Sequence, residues 1–346
     1  MIRSGRPHVA SLIAVAILLL TSGRSGAAQG TADTARVVAL LHAGKLAEAR
    51  TQFPAGRLRA EDDTPSLAYL RGRIAYAADS IATATRAFES AAARGYPPAH
   101  YWLAVVGARE AAGAGIFAKY RLAKRIRENL ERAVAMDHAN LAAQLELIRY
   151  YIIAPWPLGG GFDTARRSIA VLDHVHPYWA RTLEGALLYR EGRVIESERA
   201  LRGAIAMAPD SAAAHVGLGR LLREQGRNDE AFTSLARGVS LDSTAQRALY
   251  DMAIIGAEVG THLDGAERAI RAYLAGPIAK DLPVEAAAHW RLGQILEKKG
   301  DLAGARTEFA DALRRDPDDH DFDLSLRRLD RRLAGVALDA AARARP

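Results

Sequence analysis

The stretch Ala286 to Pro317, AAAHWRLGQILEKKGDLAGARTEFADALRRDP, constrains this chain most, because its spacing recurs elsewhere. Leu292, Gly293 and Leu296 precede Lys299-Gly300-Asp301, and Ala305, Phe309 and Ala312 follow it, all at helical spacing. That pattern predicts two amphipathic helices joined at a glycine. Gly300 supplies the left-handed backbone that ends the first helix, while Gly293 and Ala305 are small where two helix backbones must approach closely. A helix pair this short cannot bury its apolar face alone. It needs a copy of itself on either side.

The copies are present. Gly192, Gly226, Gly260 and Gly300 are 34, 34 and 40 residues apart, each between two apolar-periodic segments. Around Gly226 the pattern reads Leu218-Gly219, Leu222, Ala231, Leu235; around Gly192 it reads Gly185, Leu188, Ser197, Leu201, Ala204, Pro209. The alternation of a half-buried strand is missing. Aromatic residues are 6% of the chain while alanine is abundant, as close helix packing requires. With 49% hydrophobic and 25% charged residues, the composition is that of a globular protein.

These residues resemble the tetratricopeptide repeat, with its W-x2-L-G-x2-Y, A-x3-F and P signature over 34 residues. His289 and Leu296 stand where that family has Trp and Tyr. The segment AFESAAARGYPPAHYWLA also resembles the related Sel1-type repeat. Residues from HYWLA through LAKRIRENLERAVAMD to the Ala154–Ala165 loop are similar to a set of exported bacterial tetratricopeptide proteins with no assigned chemistry. The expected fold class is therefore all-α: a right-handed superhelical solenoid of about eight helix pairs with a C-terminal capping helix.

Taken in order, a first unit uses helices from Asp33 to Ala43 and Leu46 to Phe53, and a second runs from Thr64 to Arg94 with Asp79-Ser80 in place of the glycine turn. The third carries about ten extra residues, including Phe117, Lys119, Tyr120, Arg121, Lys124, Arg125 and Arg127. Two readings are open for this insert: a helix lengthened by extra turns with a solvated basic face, or a basic, aromatic-flanked patch for an acidic partner or anionic headgroups. In the fourth unit Pro155 and Pro157 stop a helix, Gly159-Gly160-Gly161 free the loop, and Asp163 can cap the next helix. Extra residues from Gly276 to Pro283 account for the 40-residue step, and a last helix, Leu324 to Ala342, is expected to cap the stack.

The N-terminus reads differently. Arg3 and Arg6 precede an apolar run from Val9 to Leu20, and Gly26-Ala27-Ala28 offers a small-residue cleavage site before Gln29. That is the pattern of a secretory signal peptide; twelve apolar residues fall short of the roughly 20 of a membrane-spanning helix. The expected organisation is a leader at 1–28, a solenoid at 29–319, and a capping helix and tail at 320–346, with the mature chain exported to the periplasm or medium. There is no cysteine, so neither a lipid-bearing cysteine nor a disulfide is available. Loss of Arg3, Arg6 and Arg24 with the leader takes the net charge from +7 to +4, too mild for a dedicated nucleic-acid binder.

No catalytic, metal or cofactor site is expected. His100, His215 and His289 recur with the repeat and are read as packing residues; His174 and His176 cannot share a helix face, and no HExxH or cysteine spacing exists. The glycine triplet lacks the Gly-Lys-Ser/Thr of a phosphate loop, and Gly113-x-Gly115 follows a helix where a dinucleotide fingerprint needs a strand. What the resemblance implies is a concave wall of first helices that binds a peptide or partner protein. Carried onto this sequence, its groove positions are Tyr69, Arg73, Tyr76, Tyr101, Arg109, Arg149, Trp179, Tyr189, Arg190, Arg220, Arg223, Tyr250, Trp290 and Gln294. Their Tyr, Trp and Arg content suits a binding hot spot and favours an acidic or carboxylate-bearing partner. The Lys and Asn of the family's best-known carboxylate clamp are missing from them. Two other readings stand beside this one: a peripheral membrane scaffold held by residues 119–127, and an exported hydrolase with an unrecognised site.

Overall fold

A computed structural model describes residues 35–41, 43–52, 64–276, 278 and 284–343, with side chains described up to residue 335. The expected leader at 1–28, Phe53 and most of the 276–283 insertion lie outside them. Among the described residues there are helices and no strands. The helices pair as α1 (35–41) with α2 (Leu46–Gln52), α3 (Pro65–Ala77) with α4 (Ile81–Ala93), α5 (Pro97–Ala112) with α6 (Ile116–Met136), and α7 (Leu141–Ile153) with α8 (Phe162–Asp173). Then come α9 (Pro177–Arg190) with α10 (Val194–Met207), α11 (Ala212–Glu224) with α12 (Asn228–Leu241), α13 (Gln246–Val259) with α14 (Leu263–Ala275), α15 (Glu285–Lys299) with α16 (Leu302–Arg315), and a last helix α17 (His320–Arg343). Contacts run within each pair from α3/α4 onward and between successive pairs from α2 onward, so the described residues form an α-solenoid of eight hairpins and a final helix.

One backbone device closes most hairpins. Gly192, Gly226 and Gly300 take φ of 78°, 74° and 87°. In each case the next N–H returns to a carbonyl five residues back, as in Arg193 to Leu188, Arg227 to Leu222 and Asp301 to Leu296. Asp79 does the same at φ 57°, and Ser80 N donates to Ala75 O. Aspartate tolerates the left-handed region better than most residues, so the second unit needs no glycine. Side-chain caps start several helices: Thr64 Oγ1 accepts from Leu67 N, Asn140 Oδ1 from Ala143 N and Asp301 Oδ1 from Gly304 N.

Within a hairpin, a helix glycine faces a large side chain sixteen residues later. A Cβ on Gly72, Gly185, Gly219 or Gly293 would come within 2.5–2.7 Å of Phe88, Leu201, Leu235 or Phe309. Twelve residues after each glycine stands a fully buried small residue, Ala84, Ser197, Ala231 or Ala305. Among the described residues the core follows the chain as three large clusters, spanning Val37 to Val106, Ala104 to Leu187, and Leu201 to Leu329, with a small fourth of Ala286, Ala312 and Phe322.

The extra residues of the third unit are helical, the first of the two readings open for them, giving α6 21 residues where α10, α12 and α16 have 14. Two expectations need correction. Gly161, not Asp163, stands at the start of α8; Asp163 sits in its first turn and accepts from Arg166 at 2.8 Å. The final helix begins at His320 and not at Leu324, because Asp319 Oδ1 accepts from Asp321 N and Phe322 N and because Phe322 is buried against Trp290, with ring centroids 5.6 Å apart.

Gly293→Ala is expected to cost about 1–3 kcal/mol by forcing Phe309 out of place. In a thermal-denaturation cycle with Phe309→Ala, the double variant should lose less than the sum of the two single losses; strict additivity would remove the interlock as the organising contact.

Candidate functional site

First helices form a row: α3 touches α5, α7 touches α9, and α9, α11, α13 and α15 touch in turn, whereas α5 and α7 barely meet. The gap between α5 and α7 is a cleft of about 420 Å³, floored by Ile126 and Leu130 of α6. Its walls are Tyr76 of α3, Tyr101, Ala104, Val105, Ala108, Arg109 and Ala112 of α5, and Glu146 of α7. Ile126 of α6 lies close to Gly107 of α5, 3.1 Å from where a Cβ would lie.

Several predicted groove residues converge on this cleft. Tyr76, Tyr101 and Arg109 line it, and Arg149 stands at its edge, bonded to Glu146 at 2.5 Å. The Arg109 guanidinium lies 5.5 Å from the Tyr76 ring and pairs with Asp79 at 2.7 Å. Burial, followed by the charge of Glu146, pushes the Tyr101 phenol above its ordinary pKa, so it is a neutral hydroxyl at physiological pH.

The remainder separate. Tyr69 and Arg73 are buried, joined by a 2.9 Å hydrogen bond, and the Arg73 guanidinium lies 4.0 Å from the Trp102 ring. Tyr250 is buried against Tyr273. Trp290 donates to Ser325 Oγ at 2.9 Å and stacks toward Phe322, which docks α17. Gln294 accepts from Arg291. Trp179 packs on the middle core beside Tyr178, which accepts from Ala214 N. Tyr189 and Arg190 are exposed at the end of α9, and no bond from Arg190 is found among the described residues.

Arg220 and Arg223 both reach Asp251 of α13 at 3.4 Å. Asp251 is 3% exposed, and its burial pushes the carboxyl pKa up against the opposing pull of Arg223, Arg220 and Arg247. The expected acidic preference assumed free guanidiniums. Arg73, Arg109, Arg149, Arg220 and Arg223 are instead each engaged by an aromatic ring or a carboxylate, which offsets their attraction for an acidic peptide.

Sequence reasoning missed Asp79, Glu146 and Asp251 as counter-charges, Trp102 as the platform for Arg73, and Ala108, Ile126 and Leu130 as cleft lining. Spacing held part of the signal: Arg109 follows Asp79 by 30 residues, and Asp251 follows Arg220 by 31, each a little under one repeat. Two of the recurring histidines bridge their hairpins: His100 Nδ1 lies 2.9 Å from Asn129 Oδ1 and His289 Nδ1 lies 2.6 Å from Glu308, while His215 Nε2 lies 3.0 Å from Pro209 O in the connection before α11. Among the described residues, no His, Cys, Asp and Glu cluster has the arrangement of a metal site.

Comparison with known proteins agrees with this architecture. Residues 182–246 and 260–320 match the family described as tetratricopeptide repeat. A dimer of human IFIT1 with m7Gppp-AAAA is 17% identical, with 85% of this chain and 72% of that one covered at a TM-score of 0.51. The human IFIT1 dimer with PPP-AAAA gives 18%, 88%, 74% and 0.50. YrrB, described as a TPR protein with an unusual peptide-binding site, is 16% identical over 58% of this chain and 99% of that one at 0.42. At these identities the likeness is one of fold alone. No curated protein matches the chain.

Replacing both Arg220 and Arg223 by Ala leaves the buried Asp251 carboxylate with Arg247 as its remaining cation and should cost about 3 kcal/mol at neutral pH. Asp251 has a raised pKa in the folded state, and the two losses raise it further. The deficit relative to wild type should therefore shrink as pH falls through that pKa, and Asp251→Asn should restore most of it. Urea titrations at several pH values check both; a deficit unchanged by Asp251→Asn would detach the arginines from Asp251.

Proposed function

We propose that this chain, a solenoid containing tetratricopeptide repeats, is a non-catalytic scaffold of the cell envelope that takes an extended peptide or partner segment along its row of first helices. The observation that carries this reading is the cleft between α5 and α7. Its floor and walls are mostly apolar, and Tyr76, Tyr101, Arg109 and Glu146 supply polar groups at the rim. Such a site suits one apolar or aromatic side chain of a bound peptide, held beside a guanidinium and two phenols. An acidic residue elsewhere in the bound segment is the finer preference, supported by exposed Arg190 on the same row of first helices.

Export rests on the Val9–Leu20 run and the Gly26-Ala27-Ala28 site, both in the sequence alone. Nucleic acid is the weaker reading. The human IFIT1 structures hold PPP-AAAA and m7Gppp-AAAA, but arginines of the row here face Asp79, Glu146 and Asp251, where phosphate binding needs unpaired cations.

Ala108 is exposed at the cleft wall, so Ala108→Trp should fill the space without disturbing the core. Peptides selected from a displayed library on the wild-type chain should bind that variant at least tenfold more weakly; equal binding would remove the cleft from the site. The exported protein is expected to begin at Gln29 on N-terminal sequencing, and a product retaining Met1 would discard the leader.

A further inference from the structure

The cleft leaves the outer end of α6 unexplained. Its first turn begins with Ile116 and Phe117, 79% and 83% exposed, followed by Tyr120 at 51%. Beside it stands the 3-10 turn Trp156–Leu158, where Trp156 is 85% exposed. The two are held together: Tyr120 Oη donates to Pro157 O at 3.4 Å, α6 touches the turn, and Arg127 closes on Gly159, whose φ of 83° already excludes most side chains. Thus three large apolar side chains and a tyrosine project from one end of a helix and the loop seated on it.

On the helix the charge beside them has one sign, whereas Asp163 and Glu191 line the same surface pocket as Trp156 together with Arg167. From Ile116 to Arg127 the helix carries Lys119, Arg121, Lys124, Arg125 and Arg127 and no acid. Arg125 pairs with Glu89, and Lys124 and Arg127 approach Glu128 and Glu131 at 4.0 and 3.9 Å. Lys119 and Arg121 have no ion pair among the described residues, and both are exposed.

We propose that Ile116, Phe117, Tyr120 and Trp156, with Lys119 and Arg121, form a docking surface for the headgroup region of an anionic lipid bilayer. Shape and charge together select this occupant. The apolar groups protrude singly, where a protein partner would need a pocket matched to each; the interfacial zone of a bilayer receives protruding Phe, Trp and Ile anywhere on its surface. Tyr and Trp suit that zone because each has an apolar ring with a polar tip. The unpaired Lys119 and Arg121 meet anionic headgroups at the same depth. No described helix is long and apolar enough to cross a membrane, and none is needed, since the surface lies on the bilayer. It is separate from the α5/α7 cleft, so a scaffold docked through it would keep its peptide row free.

The chain has no cysteine, so a single introduced thiol reports one position even if the apolar leader also binds lipid. Phe117→Cys and Ile195→Cys, the latter at an exposed position on α10, each carry an environment-sensitive dye in the full chain. Vesicles of phosphatidylglycerol and phosphatidylcholine should raise emission at 117 at least twofold, with a blue shift, and leave 195 unchanged. The rise should fall severalfold in Lys119→Glu/Arg121→Glu, in vesicles of phosphatidylcholine alone, and at high salt. Equal responses at 117 and 195, or none at 117, would overturn the proposal. So would a rise at 117 that grows with protein concentration without lipid, since that makes the surface a contact between two copies of the chain.

Discussion

The structure depends on the fit between a glycine on the first helix of a hairpin and a bulky residue sixteen positions later on the second. With no Cβ in the way, Phe88, Leu201, Leu235 and Phe309 lie directly over the backbone of the opposing helix. Ala84, Ser197, Ala231 and Ala305 keep the second helix equally thin one turn earlier. Two helices brought this close leave little apolar surface within the pair itself. The outward apolar residues of one hairpin must then find the next, which is why the units stack and do not fold singly. The seventh unit varies the theme: Gly256 approaches Ala266 Cβ, and an extra left-handed residue, His262, stacks on Phe232 of the preceding unit, with ring centroids 4.3 Å apart.

Electrostatics add register between units. Arg227 bonds Glu198 of the preceding hairpin, Lys299 bonds Asp264 and Glu267, and Arg328 bonds Glu297. The Lys299 bonds hold Asp264 and Glu267 below the usual carboxylate range. Each such pair keeps at least one partner open to solvent and is individually weak. Their number across one face favours a single stacking offset, since sliding a hairpin would juxtapose like charges. The arginines of the first-helix row obey the same logic, so a row that looks cationic in sequence is locally near balance. Binding there must draw more on shape, at the α5/α7 cleft, than on net charge.

The third unit contributes to both candidate surfaces. Ile126 and Leu130 of α6 floor the cleft between α5 and α7. The other end of the same helix exposes Ile116 and Phe117, where the Trp156 turn touches it.

By itself the sequence determined the repeat, the helical class, the hairpin turns and the count of units, because each rests on contacts within about 35 residues, where helical spacing and left-handed glycines speak directly. It also foretold Asp79 as a turn residue and the added turns of α6 as one of two readings. Which groove residues are free was decided only in three dimensions. Tyr69, Arg73 and Tyr250 belong to the positions assigned to the wall yet are buried, and Trp290 is drawn off by α17, because neighbours from adjacent units reach over them. A periodic pattern fixes which face a side chain leaves from. What that side chain meets depends on the offset between stacked hairpins, and no single repeat carries that information.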